Sequence, residues 1–84
     1  VIDVGSDEKV SAESENTTFN VHAKRSSIYT YGNGNTINLA EGSNGIGIKG
    51  NGAINLNLAG SSKDYTFEVS KDDPSVVTIT NNKM

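Results

Sequence analysis

A glycine-rich run in the middle of the chain has the spacing of a phosphate-binding turn. Gly45-Ile46-Gly47-Ile48-Lys49-Gly50 matches G-x-G-x-x-G. Such a turn binds a dinucleotide only where it ends a strand and opens a helix, because the helix N-terminus supplies the amide groups that meet the pyrophosphate. Here Asn51-Gly52 and then an alternating strand pattern follow, so no helix is available. The run therefore predicts backbone turns and not a nucleotide site.

Catalytic side chains are scarce. His22 is the only histidine, and Lys24 and Arg25 follow it closely. A general base needs a nucleophile and an orienting partner within hydrogen-bond reach, and no serine lies in a recognisable nucleophile motif. The ten acidic residues lie mostly in a polar N-terminal run or beside turns, with no sign of a cleft that would face two carboxylates toward a glycosidic bond. We therefore expect a protein that is not an enzyme and has no cofactor.

Ligands for a metal ion are also few. Asp64, Asp72 and Asp73 are weak candidates for an isolated cation site, but Asp72-Asp73-Pro74-Ser75 has the composition of a turn. The chain has no cysteine and one histidine, which argues against a structural zinc site. The sequence thus predicts no metal centre.

Two tyrosines are the best candidates for binding a ligand. If Ile28 and Thr30 face inward, the alternation of a strand places Tyr29 and Tyr31 on the outside. A flat ring offers apolar contact and amide groups supply directed hydrogen bonds, which together suit a sugar or a receptor. We expect polar side chains of neighbouring strands to lie near the rings. The ligand-contact candidates are Tyr29, Tyr31, Asn20, His22 and Asn38.

A repeating strand pattern must position these side chains. Eight of the nine glycines fall within residues 31–60. Inward-facing pairs recur every nine residues and then once at eight, at Phe19/Val21, Ile28/Thr30, Ile37/Leu39, Ile46/Ile48 and Ile54/Leu56. Alternation of this kind predicts short strands with one buried face, and the Gly/Asn clusters between them suit turns. The expected fold is therefore all-β.

The pattern divides the chain into three segments. Residues 1–15 are a polar segment with one short strand at Val1–Val4, followed by a loop or mobile linker. Residues 16–60 are the β-repeat region. Residues 61–84 contain no glycine and read as a C-terminal hairpin or cap, with Asp72-Asp73-Pro74-Ser75 as its turn.

Parts of the repeat resemble known families. Gly32-Asn33-Gly34-Asn35-Thr36-Ile37 resembles the nonapeptide G-G-x-G-x-D-x-U-x of repeats-in-toxin proteins. The units EGSNGIGI and KGNGAINL resemble repeats of autotransporter passenger β-helices. The resemblance covers residues 31–60 and implies a short β-solenoid or β-roll of an exported bacterial protein, built from strand-turn units of about nine residues. In the nonapeptide family an aspartate of each unit helps to bind calcium, but Asn35-Thr36 and Asn44-Gly45 stand here, so calcium would find only weak neutral ligands.

The composition narrows the function. The formal charge is −3, and Lys24-Arg25 is the only adjacent basic pair, which argues against nucleic-acid binding. No apolar run approaches the ~18 residues that cross a bilayer. A cysteine-free chain rich in Asn, Gly, Ser and Thr is typical of bacterial surface proteins. We expect an extracellular or cell-surface module, structural or adhesive, such as a stalk, passenger or filament subunit.

Open strand edges give the expected partners, which are other copies of the chain or adjacent domains. Because the chain starts at Val1, we expect it to be a piece of a longer polypeptide. The alternative is an immunoglobulin-like β-sandwich that binds a glycan or a protein receptor. The solenoid stacks Ile28 on Ile46 in parallel, whereas the sandwich pairs Ile37 with Ile46 in an antiparallel hairpin.

Overall fold

The computed structural model describes residues 1–51 and 53–82, which confirm the all-β prediction. Within them the chain forms nine strands and one short 3₁₀ helix, η1. The strands are β1 Ile2–Val4, β2 Lys9–Ala12, β3 Thr18–Val21, β4 Lys24–Tyr31, β5 Asn35–Leu39, β6 Asn44–Asn51, β7 Ile54–Leu58, β8 Tyr65–Val69 and β9 Val76–Asn81, with η1 at Ser62–Asp64 before β8.

The strands form two sheets, and the chain passes from one to the other at each turn through β7. The four-stranded sheet has the order β1-β3-β5-β7, and the five-stranded sheet has the order β2-β4-β6-β9-β8. All four strands of the first sheet pair in parallel, and so do β2, β4 and β6 of the second. Each strand from β3 to β7 therefore lies beside the strand that comes two before it in the chain.

Both sheets bury their apolar side chains in one core between them. The predicted inward faces of β3, β4, β5 and β6 are confirmed, because each of these side chains is at most 8% exposed. The core residues are Val4, Phe19, Val21, Ala23, Ile28, Ile37, Leu39, Ile46, Ile48, Tyr65 and Ile79. Rows of inward side chains run across the strands, such as the row from Phe19 to Ile37. The core is thin, and its continuity depends on this register.

The pairing predicted for Ile28 is wrong by two residues. Ile28 pairs with Ile48, and Ile46 pairs with Ser26. Four residues join β5 to β6, whereas two join β3 to β4, and the two extra residues shift β6 along β4. The antiparallel pairing of Ile37 with Ile46, which the sandwich alternative requires, does not occur because β5 and β6 lie in different sheets.

The N-terminal segment contains two strands, not one strand and a linker. β2 pairs in parallel with β4, so that Val10 lies beside Ile28 and Ala12 beside Thr30. Val10 and Ala12 alone do not form a pattern that indicates a strand. The neighbouring strand β4 supplies the backbone hydrogen-bond partners that a linker would lack. The N-terminal segment thus belongs to both sheets.

The C-terminal segment forms an antiparallel hairpin of β8 and β9, with its turn at residues 70–75. β9 pairs antiparallel with β6 and so extends the five-stranded sheet. Lys83 and Met84, at the end of the segment assigned to the hairpin, lie outside the described residues. The hairpin occupies the place beside β6 where a further parallel strand would lie.

Two buried polar side chains join successive strands inside the molecule. Asn35 is fully buried; its Nδ2 donates to the hydroxyl of Thr30, and its Oδ1 accepts from the backbone N–H of Thr17 at 2.9 Å. Ser43 donates from its hydroxyl to the carbonyl of Val21 at 3.0 Å and accepts from the N–H of Ala23 at 3.3 Å. These bonds satisfy the backbone N–H groups of Thr17 and Ala23 at the strand ends, and the carbonyl of Val21 also accepts from the N–H of Ala40 at 2.8 Å.

We expect Asn35→Ala to lower the free energy of unfolding by about 1–3 kcal/mol, because it leaves the buried hydroxyl of Thr30 and the half-buried N–H of Thr17 without this partner. Asn55→Ala is the matched control, since Asn55 is exposed on β7. Urea denaturation followed by circular dichroism measures both. Equal losses in the two variants would contradict the structural role of Asn35.

Gly50 is required by close packing of two strands. A Cβ at this position would lie 1.6 Å from the carbonyl oxygen of Thr30, its partner in β4. At Gly47, on the same strand, the nearest atom would be 3.9 Å away. We expect Gly50→Ala to destabilise the fold by about 3 kcal/mol or more through overpacking. Gly47→Ala should be neutral or stabilise by about 0.5–1 kcal/mol. Thermal melts that rank the variants the other way would contradict this.

Candidate functional site

The structure separates the five ligand-contact candidates into two groups. Tyr29 and Tyr31 lie half-buried on the outer face of the five-stranded sheet, as the alternation predicts. Asn20 and Asn38 lie on the outer face of the four-stranded sheet, and His22 follows β3 directly. Because the two inner faces share one core, the two outer faces point in opposite directions. The rings and the amides therefore do not form one surface.

Asn20, His22 and Asn38 do come together, in a groove at the carboxyl ends of β1, β3 and β5. We call it the polar groove after its polar side chains, which are Asp3, Glu8, Asn20, His22 and Asn38. Its volume is about 630 Å³, and most of its exposed surface is apolar, with Val4, Val21, Leu39 and Ala40 also in the lining. Parallel strands bring equivalent positions to the same end of the sheet, which explains why residues 18 positions apart meet there.

Asparagines form a hydrogen-bonded column beside the polar groove, which we call the asparagine ladder. Nδ2 of Asn38 donates to Oδ1 of Asn20 at 3.0 Å, and Nδ2 of Asn57 donates to Oδ1 of Asn38 at 2.7 Å. Asp3 lies in register with Asn20 at one end. In parallel strands that pair in register, equivalent residues lie side by side, so the three amides point the same way. The ladder fixes the rotamers of groove side chains that would otherwise be free to turn.

The other groove side chains are held through the backbone. The N–H of His22 donates to the carbonyl of Val4 at 3.1 Å, which leaves the ring exposed at the edge of the groove. The carboxylate of Glu8 accepts from the N–H of Gly5. The groove thus presents amides, an imidazole and two carboxylates on a fixed backbone. These groups can direct hydrogen bonds to a polar ligand.

The metal candidates are not brought together. Asp64 lies before β8, and Asp72 and Asp73 lie in the turn at its other end. Asp73 is already engaged: its Oδ2 lies 2.7 Å from Nζ of Lys49, and its Oδ1 accepts from the hydroxyl of Ser75 at 2.6 Å. Among residues 1–51 and 53–82 no group of three or more His, Asp or Glu side chains is placed to hold a metal ion.

The contact between Lys49 and Asp73 lies beside the tyrosines, since Lys49 is in register with Tyr29. The hydrogen bond from Lys49, aided by those from Ser75, lowers the pKa of Asp73 from 3.8 to about 2. The same hydrogen bond to Asp73 raises the pKa of Lys49 above 10.5. Both side chains remain partly exposed, so the contact fixes the hairpin turn against β6 without forming a buried charge pair.

Sequence reasoning missed Asp3, Glu8 and Asn57 as members of the groove and the ladder. A signal for the ladder was present, because the triplets Thr18-Phe19-Asn20, Thr36-Ile37-Asn38 and Asn55-Leu56-Asn57 recur at offsets of 18 and 19 residues. Asp3 and Glu8 carried no such signal, since they lie in a segment that reads as polar linker.

No protein-family model, curated protein or solved structure matches this sequence. In the part of the chain that is described, no helix is long and apolar enough to span a membrane.

We expect Asp73→Asn to lower stability at neutral pH and to lose this effect in acid. A carboxyl group whose pKa is lowered on folding stabilises the fold above pH 3.8, and the contribution is lost as the pH falls toward about 2. Melting temperatures of wild type and variant should converge over that range. Asp72→Asn removes the same charge next door but keeps the Lys49 contact, so at neutral pH it should stay closer to wild type. A gap that persists unchanged in acid would exclude the contact as its source.

Proposed function

We propose that this chain is a non-catalytic structural and adhesive module of a secreted or surface-exposed bacterial protein. We further propose that its two sheets are the two sides of a short β-solenoid that ends in the C-terminal hairpin. The observation that carries both proposals is the parallel, in-register pairing of every second strand. Ile2 pairs with Phe19 and Phe19 with Ile37, at offsets of 17 and 18 residues.

The corners between strands support a coiled path. Asp7, Arg25 and Gly45 each precede or begin a strand of the five-stranded sheet, and each takes a positive φ, of 60°, 66° and 65°. The N–H of Asp7 donates to the carbonyl of Arg25 at 2.6 Å, so these corners stack as the strands do. A residue with positive φ at the same position of successive units indicates that one backbone conformation is repeated along the chain.

A module of this kind holds its shape through regular stacking and offers a fixed outer surface. The outer face of the four-stranded sheet suits adhesion, because the asparagine ladder and the polar groove present ordered hydrogen-bonding groups. Along β3, β5 and β7 this outer face carries no charged side chain. Open strand edges would join the module to other copies or to adjacent domains.

The polar groove favours a glycan as the ligand. Amide groups and an imidazole match sugar hydroxyl and acetamido groups, since both can donate and accept hydrogen bonds. The carboxylates of Asp3 and Glu8 repel anionic ligands, which favours neutral or N-acetylated sugars over sialylated or sulfated ones. The immunoglobulin-like alternative also includes recognition of a glycan. We keep that recognition as a second proposal and assign it to the polar groove, not to the tyrosines.

An array of immobilised neutral, N-acetylated and sialylated oligosaccharides tests the adhesive role. We expect the wild-type chain to bind neutral or N-acetylated members, and Asn20→Ala and His22→Ala to weaken binding by roughly tenfold, about 1.4 kcal/mol. Asn55→Ala, on the same outer face but away from the groove, is the control and should bind as wild type. A folded chain that binds no member contradicts the adhesive proposal. Loss of binding in Tyr29→Ser, with Asn20→Ala and His22→Ala unaffected, would move the contact to the tyrosines.

A further inference from the structure

We propose that two copies of this chain form a two-fold dimer in which β7 of each copy pairs with β8 of the other. The inference deepens the proposed self-association and rests on that part of the proposed function, but it is independent of glycan binding. The two described sheets are unequal, since one has four strands and the other has five.

The mismatch leaves a step at one end of the molecule. β7 lies beside β5, and β9 lies beside β6, so β7 and β9 face each other across the core. β8 extends the five-stranded sheet by one strand beyond this level. In the described part of the chain, no strand of the four-stranded sheet faces β8. We call this end the β7–β8 step.

The inner face of β8 is apolar and uncovered. Directly paired residues share one face of a sheet, so Phe67 lies in the inner row with Ile79 and Ile46. Exposure rises along that row from 0% at Ile46 and 1% at Ile79 to 47% at Phe67. Val69, in the next inner row, is 56% exposed. Among the described residues, Phe67 and Val69 are the core-face apolar side chains that are exposed and not half-buried.

The edge of β7 completes the step. Its inward side chains, Ile54, Leu56 and Leu58, are only half-buried, although Ile37 and Leu39 on the neighbouring strand are 0% and 3% exposed. The strand carries no charge and no proline, the devices that usually block pairing at an edge. Among the described strands, β7 has one neighbour, β5, so its other edge can accept a strand.

A second copy fits this step by symmetry. The hairpin makes β8 run in the same direction as β6. The end of β7 lies against the start of β8, because the hydroxyl of Tyr65 donates to the carbonyl of Ala59 at 2.7 Å, so β7 runs opposite to β8. A two-fold axis parallel to the strands and midway between the sheets places β8 of one copy beside β7 of the other, antiparallel. Each copy then supplies the strand that the other lacks. In a two-fold contact both copies use the same surface, and this is the usual form of a homodimer.

Head-to-tail stacking is blocked by the same step. If β1 of one copy were placed on β7 of another, the β2 that follows it would have to occupy the position of β8. The two-fold arrangement avoids this clash, because it leaves β8 of each copy in place.

Charge also favours β7 against β8. The outward side chains of β7 are the amides of Asn55 and Asn57, and β8 carries one outward carboxylate, Glu68. Pairing of β7 with β8 sets a carboxylate near amide donors, whereas pairing of β8 with β8 would bring the two Glu68 side chains together. The contact consists of two five-residue strand pairings, and we expect a dimer held by so short a contact to depend on concentration.

Sedimentation equilibrium of the whole chain from about 1 µM to about 1 mM tests the dimer, a range that spans the affinity of small interfaces. We expect the average mass to rise from 8.8 kDa toward twice that value. Val69→Lys should stay monomeric over the range. Val1→Lys is the matched control, since it makes the same change on a side chain that is 89% exposed outside the step, and it should dimerise as wild type. A monomeric wild type, or equal behaviour of Val69→Lys and wild type, overturns the inference.

Cross-linking identifies the strands, because the chain has no cysteine of its own. A mixture of Asn55→Cys and Glu68→Cys chains should form a disulfide-linked heterodimer on mild oxidation. A mixture of Asn55→Cys and Asp3→Cys should not, and a heterodimer there would show head-to-tail stacking and overturn the two-fold arrangement. Glycan binding is measured on the same samples: a monomer that binds glycans refutes the dimer alone, and a dimer that binds none refutes the adhesive role alone.

Discussion

Parallel hydrogen bonding between every second strand is the interaction on which the rest of this structure depends. The chain has no tryptophan and only 33% hydrophobic residues, so its core is thin and cannot stabilise the fold by bulk. The ladders bring equivalent side chains into rows, and the rows make a continuous core from small contributions. Close strand approach follows from the same constraint, and at Gly50 it excludes a side chain next to the Thr30 carbonyl.

Polar side chains fix the register that the ladders alone would leave free to slip. A two-residue slip keeps the apolar rows facing inward, but it removes Asn35 from the N–H of Thr17 and Ser43 from the carbonyl of Val21. Buried polar groups without partners are costly, so these bonds select one register among several with similar hydrophobic burial. Outside the core, the hydrogen bonds of the asparagine ladder favour the same register on the surface of the four-stranded sheet.

The two outer faces have different physical characters as a result. One carries stacked amides and the polar groove, whose side chains are oriented by their neighbours one strand away. The other carries two tyrosines and the contact of Lys49 with Asp73, in which the C-terminal hairpin is fixed to β6. The hairpin also makes the sheets unequal, so that the core-facing side chains of Phe67 and Val69 on β8 meet solvent.

The sequence by itself determined the strands of the repeat region and the C-terminal hairpin, the inward faces of β3 to β6 and the outward position of Tyr29 and Tyr31, because a two-residue alternation is a local property. Tertiary structure decided the register of β6, which depends on the length of the connection after β5. It also made β2 a strand, because β4 supplies the hydrogen-bond partners of its backbone. Val10 and Ala12 alone do not form a pattern that indicates a strand. The site was decided there too: parallel pairing gathers Asp3, Asn20 and Asn38 from distant positions, and the two-sheet core turns Tyr29 away from them.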